Sequence, residues 1–244
     1  MWVTLTKIFG VSGGHHIVSR AEAEQAQLEH QWQDPKLPER QWALVSQQLA
    51  EMRTSGQLPQ MMQVLVDQLK SVSQPGMTVL ETGCSSGYYS EIFQMAGLDV
   101  QYSGSDYSEA FINLAKQHYP QLAFQVGDAA KLPYQDREFD IVISGGVILH
   151  MLQYAQAIHE AARVSKRYVV FSRTPMLHTH ATTYTIKQAY GVKSIEVLFN
   201  EAELFQHFRA AGLRVLALNT VGRGAKLFNL VRPVYVKTYL CERI

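Results

Sequence analysis

The chain has 244 residues and is 47% hydrophobic, enough to bury one sizeable core, so one α/β domain with an appendage is expected. Its 22 basic and 21 acidic residues give a net charge of +1, without the basic excess of a nucleic-acid binder, and no nucleic-acid partner is expected. Two cysteines, Cys84 and Cys241, are too few for a disulfide scaffold or a Cys-rich zinc site and suit a reducing, cytoplasmic setting.

In chain order, residues 1–20 contain Ser12-Gly13-Gly14-His15-His16 and read as a flexible tail without the basic start and apolar core of a secretory leader. Residues 21–70, rich in Gln, Glu, Ala and Leu, read as two or three helices. Breaks are expected at Asp34-Pro35 with Pro38, and at Ser55-Gly56 with Pro59. Met61, Met62, Leu65, Val66 and Leu69 recur at helical spacing in the last of them. Residues 1–75 are thus expected to form a tail and an N-terminal helical cap, and residues 76–244 the main domain.

After the Gln74-Pro75-Gly76 turn, short apolar runs alternate with helical stretches. Strands are expected over 78–81, 100–105, 123–126, 139–144, 168–172, 213–218 and 234–240, and helices over 89–96, 108–118, 154–164 and 200–211. Ser108 reads as an N-cap, and Asn200 with Glu203 as a capping box. This alternation predicts a mostly parallel sheet covered on both faces. The longest apolar run, 139–152, is broken by Asp140, Ser144, Gly145, Gly146 and His150 and is too short to span a bilayer.

Chemistry gathers at the strand ends. The first strand ends in Glu81 and runs into Gly83-Cys84-Ser85-Ser86-Gly87; the second ends in Asp106, and Asp128 follows the third. Ligands of open α/β sheets bind beyond the carboxyl ends of the strands. The glycines let the backbone turn and approach a ligand. A carboxylate after the second strand can accept both hydroxyl hydrogens of a ribose, and one after the third can reach an adenine amino group.

The segment 78–172 resembles the class I, Rossmann-like S-adenosylmethionine-dependent methyltransferases, and more narrowly their small-molecule "type 11" group. Val79-Leu-Glu-Thr-Gly-Cys-Ser-Ser-Gly87 corresponds to the first motif of that family, and Ser105-Asp106-Tyr107-Ser108 to its ribose-holding second motif. Val126-Gly-Asp128-Ala129 matches the adenine-contacting third, and 139–150 the fourth strand and the loop facing the reactive methyl. The resemblance implies a seven-stranded, mostly parallel sheet with helices on both faces. It also implies S-adenosylmethionine as cofactor, with S-adenosylhomocysteine as product. Expected cofactor residues are Glu81, Gly83, Cys84, Ser85, Ser86, Gly87, Tyr89, Asp106, Tyr107, Asp128, Ala129 and Gly145. Asp128 could instead shape the turn while the backbone of Ala129 makes the contact. A sulfonium cofactor carries no phosphate and tolerates carboxylates that would repel a pyrophosphate. Ser85 stands where the family often has Gly, and Ser165-Lys166-Arg167 where it often has a Gly-Gly turn.

His150 is the candidate general base for a hydroxyl acceptor; a loop-shaping or capping role is the alternative. Tyr88, Tyr89, Arg173, His178, His180 and Tyr184 are further pocket candidates. His178-Thr-His180 lacks the companions of a metal site, so no metal is expected. Arg223, Lys226, Arg232 and Lys237 read as a solvated basic face, with docking of an acidic or phosphorylated substrate as the alternative. No Asn/Asp-Pro-Pro-Tyr/Phe motif follows the fourth strand. The expected partner is therefore a small molecule, with the inserted stretch 173–199 covering the pocket of a monomer or homodimer. A nicotinamide-dependent oxidoreductase and a non-catalytic S-adenosylmethionine-binding protein are the alternatives.

Overall fold

The computed structural model describes residues 15–26, 28–178, 180–189, 191–223 and 234–244. Its N-terminal part comprises β1 (His16–Val18), α1 (Arg20–Gln25), a 3-10 stretch Leu28–Gln33, α2 (Leu37–Ser55) and α3 (Gln60–Lys70). Ser19 and Glu22 form a reciprocal capping box at the start of α1. Pro38 falls in the first turn of α2, where its missing N–H has no helical partner to lose, so it starts the helix instead of breaking it. Gly56, at φ 66°, ends α2 in the left-handed conformation that glycine adopts most easily. Residues 1–14 of the expected tail lie outside the described residues, while 16–18 of that tail form a strand.

The main domain follows as β2 (Met77–Thr82), α4 (Tyr89–Met95), β3 (Val100–Asp106), α5 (Glu109–His118), β4 (Ala123–Val126) and β5 (Phe139–Ser144). It continues through α6 (Tyr154–Val164), β6 (Ser165–Leu177), β7 (Thr183–Ala189), β8 (Val192–Asn200), α7 (Glu201–Ala210), β9 (Leu213–Arg223) and β10 (Tyr235–Arg243). Pairing gives the order β4-β3-β2-β5-β6-β10-β9, with β10 antiparallel to both of its neighbours. This is the expected seven-stranded sheet. A second, antiparallel sheet β1-β7-β8 joins it where Met176 and Leu177 of β6 pair with Phe199 and Asn200 of β8. The three strands of that second sheet exceed the expected count; they fall in the presumed tail and the inserted stretch.

Side chains alternate between two apolar layers. Leu80, Val142, Val169 and Phe171 pack with Ile158 and Ala161 of α6 and Phe208 of α7. Val79, Ile141, Ile143 and Val170 pack with Leu65 of α3, Phe93 of α4 and Ile112 of α5. Both faces of the central strands are therefore dry, as parallel strands require. Helix α3 lies on β6, β9 and β10, so it is a layer of the sheet itself.

Two local devices differ from the sequence reading. Glu203 N donates to the Asn200 side chain at 3.1 Å, but the return leg of the capping box runs through Thr182. The Asn200 N–H donates to the Thr182 hydroxyl (3.1 Å), which donates to Glu203 (2.5 Å). Helix α6 passes straight into β6 without a glycine turn, because Arg243 donates to the carbonyls of Ala162, Arg163 and Ser165 at 2.9–3.0 Å.

Candidate active site

The carboxyl ends of β2, β3, β4 and β5 open onto a cavity of about 360 Å³. Nine of the sequence-predicted site residues line it: Glu81, Gly83, Ser85, Asp106, Tyr107, Asp128, Ala129, Gly145 and His150. Four do not. Cys84 is buried with its sulfur against Gly104, Ser86 is fully buried, and Gly87 faces the Phe124 ring. Tyr89 is buried beside Gly145. These four support the glycine turn from behind, because a tight turn points alternate side chains away from its concave face.

Three cavity-lining glycines are required by the close approach of neighbouring side chains. A Cβ on Gly83, at φ 64°, would collide with Val147. One on Gly127 would lie 2.7 Å from Ser105 Oγ, and one on Gly145 2.9 Å from Glu81 Oε1. Ser85 adopts φ 48°, which explains why glycine suits this position: the constraint is the left-handed backbone, not side-chain size. The Ser85 N–H compensates by donating to Asp106 Oδ2 at 2.9 Å.

Asp106 also accepts from Ser108 N at 2.9 Å, so two amides fix its carboxylate at the cavity wall. Ser108 occupies the expected N-cap position, yet its side chain makes no cap hydrogen bond; the Asp106 carboxylate receives the Ser108 N–H instead. Burial raises the Asp106 pKa to about 6 against the lowering effect of the Ser108 and Ser85 amides. Burial likewise pushes Glu81 well above the usual carboxylate range, although the Tyr102 hydroxyl donates a short hydrogen bond to it. Asp128 accepts from Ala130 N at 2.8 Å and so shapes its own turn while lining the cavity.

His150 ends a 3-10 turn after β5, with its ring 4.8 Å from that of Trp32. Its Nδ1 lies 2.7 Å from the Ile195 carbonyl, so Nδ1 must donate and the neutral ring keeps its lone pair on Nε2. Burial, together with Lys187, lowers its pKa to about 4. Lys187, Trp32, Gln41 and Phe111 also line the cavity. No sequence signal marked them, since they come from separate elements and carry no motif. Of the other pocket candidates, Tyr88 and Arg173 line the cavity. His178 instead lies 3.6 Å from Glu201, which accepts from Lys237 and Tyr239. Lys237 is thus buried in an ion pair and is no part of a solvated face; residues 226 and 232 of that basic stretch lie outside the described residues.

An antiparallel β10 in the sixth position distinguishes this sheet from the dinucleotide-binding order, whose six strands run parallel. Residues 80–171 match the family described as "Methyltransferase domain". That segment is similar to the methyltransferase domains of this family. Over 157 residues the chain is 34% identical to a probable S-adenosylmethionine-dependent methyltransferase of Mycolicibacterium smegmatis, covering 64% of this chain and 59% of that protein. It is 31% identical over 116 residues to the demethylmenaquinone methyltransferase of Renibacterium salmoninarum, covering 48% of this chain and 47% of that one. The match therefore spans about half to three-fifths of these relatives. The crystal structure of an S-adenosylmethionine-dependent methyltransferase from Methanosarcina mazei superposes with a TM-score of 0.57 at 15% identity, covering 72% of this chain and 96% of that one; this likeness is one of fold.

The site fits S-adenosylmethionine, the cofactor that the family resemblance implies. Gly83, Gly127 and Gly145 line the cavity with their backbone, and Asp106 retains acceptor capacity toward a ribose diol. Among the described residues no helix is long and apolar enough to cross a membrane.

Proposed function

We propose that this chain transfers the methyl group of S-adenosylmethionine to an acidic hydroxyl, such as a phenol, of a small-molecule acceptor held beside His150. When bound, the cofactor supplies an electrophilic methyl group. The protein's part is alignment and proton handling. Asp106 would hold the ribose, the loop at Asp128–Ala129 the adenine, and the glycines at 83 and 145 the methionyl chain.

The observation that carries the acceptor reading is the fixed tautomer of His150. With Nδ1 committed to Ile195 O, the ring has a lone pair on Nε2 across the neutral pH range. A base with a pKa near 4 takes little proton from an aliphatic alcohol but assists an acceptor that is already acidic, hence the choice of a phenol. Trp32, Phe111 and Met151 offer such a ring apolar contact.

The test has two steps. S-adenosylhomocysteine should raise the melting temperature of ligand-free protein while NAD(H) does not; a shift with NAD(H) alone would reverse the assignment. His150→Ala should then keep S-adenosylhomocysteine affinity and lose on the order of 100-fold in turnover on a phenol panel. Undiminished turnover would remove His150 as the base.

A further inference from the structure

The cavity is charged unevenly. Its acidic lining residues among those described, Glu81, Asp106 and Asp128, all come from the ends of β2, β3 and β4, on the cofactor side. The segment after β5, β6 and β7 contribute His150, Arg173 and Lys187 and no carboxylate to the lining; Arg173 lies near enough to Glu81 and Tyr89 to act on both, so it stands between the acidic end and His150.

Arg173 is placed there by an irregular strand. Between the pairs Phe171↔Tyr239 and Thr174↔Lys237 the register shifts, so Ser172 and Arg173 together oppose Thr238. This is a β-bulge, and Arg173 adopts φ 62° within it, a conformation that bulges usually assign to glycine. Bulges re-aim side chains next to active sites, and a non-glycine residue kept in this region points to function. The side chain crosses Gly146, where an added Cβ would meet its Nε at 3.4 Å.

Lys187 comes from the roof. Thr185, Lys187, Ser194 and Glu196 share one face of the β7–β8 hairpin, and Thr185 and Ser194 are fully buried. Ile195 and Val197, on the other face, pack into the core. A polar strand face is costly to bury unless its groups are paired, and here Thr185 donates to the Glu196 carbonyl while Lys187 pairs with the Glu196 carboxylate. Glu196 pairs with Lys187 without lining the cavity, so it holds the ammonium in place from behind.

We propose that the acceptor bears a carboxylate or phosphate group, bound by Arg173 and Lys187 where they line the cavity with His150, and that these two residues set acceptor specificity. The planar guanidinium suits a two-oxygen anion, and the lysine adds a point charge. The inference rests on the methyl-transfer reading, and its test keeps the two apart.

With S-adenosylhomocysteine saturating, affinities are measured for salicylate against salicylamide and for phenyl phosphate against phenol. The anionic member of at least one pair should bind about tenfold or more tightly than its neutral partner; which pair does so identifies the anion. Arg173→Gly, which accepts the φ of the bulge and so should fold, should abolish the preference, and Lys187→Gln should narrow it. Both variants should keep parental affinity for S-adenosylhomocysteine. Equal affinities within both pairs, or no binding by any probe, would overturn the proposal. So would a tenfold loss of S-adenosylhomocysteine affinity in Arg173→Gly, which would assign the guanidinium to the cofactor's own carboxylate. Failure of the parent protein to bind S-adenosylhomocysteine would remove the methyl-transfer reading itself.

Discussion

Asp106 holds the most informative charge in the site. Its folded pKa of about 6 exceeds the ordinary carboxylate value because burial outweighs two amide hydrogen bonds. The protonated form therefore stabilises the folded state below about pH 4, and that contribution is lost as pH rises through about 6. The ribose role proposed for Asp106 needs the carboxylate; on that proposal S-adenosylhomocysteine should bind about tenfold more weakly at pH 5 than at pH 8 and release a proton on binding near pH 6. Calorimetry in buffers of different ionisation enthalpy reads that proton, and Asp106→Asn should abolish both effects. His150, with its pKa near 4, contributes nothing to this limb. The sequence revealed Glu81, Asp106 and the glycine turn because each sits at a strand end and the strands were plain. It could not reveal the left-handed backbone of Ser85 and Arg173, which depends on contacts made only after folding.

Among the elements, α6 has a task beyond covering the sheet. Glu160 accepts from Leu132 N at 2.8 Å, and Arg163 donates to Leu132 O, Tyr134 O and Asp136 at 2.8–3.1 Å. One helix turn thus pins the segment after β4 that carries Asp128 and Ala129. Arg163→Met should weaken S-adenosylhomocysteine about tenfold and speed hydrogen exchange over residues 128–137, with a stability loss of about 1–2 kcal/mol. Unchanged exchange there would show that the segment holds itself. Helices and parallel strands were legible because their apolar periods are strong: β4, β5 and α6 occur as expected, residue for residue. The hairpin was not, because one face is polar yet buried while the other is apolar and packs into the core, which gives neither the uniform run of a core strand nor the clean sign of a solvated one.

For the whole molecule, the N-terminal helices belong to the structural core. Leu65 and Leu69 of α3 are buried in the same layer as Val79, Ile141 and Val170. Leu65→Ala should cost about 2–5 kcal/mol and lower the melting temperature in one cooperative step; a separate early transition would instead mark the helices as an independent unit. The composition and the Gln74-Pro75-Gly76 turn suggested a boundary near residue 75, but composition records where periodicity changes and not what packs on what.

Leu177, the last residue of β6, pairs with Asn200, the last before α7. The chain therefore leaves the main domain and returns to it at neighbouring points, about 5 Å apart as adjacent strands are. A segment whose ends meet in this way can be exchanged for another of different length at little entropic cost. The β7–β8 hairpin is a natural cassette: on the proposed function, transplanting another hairpin there should change which acceptor is taken while leaving the donor site in place.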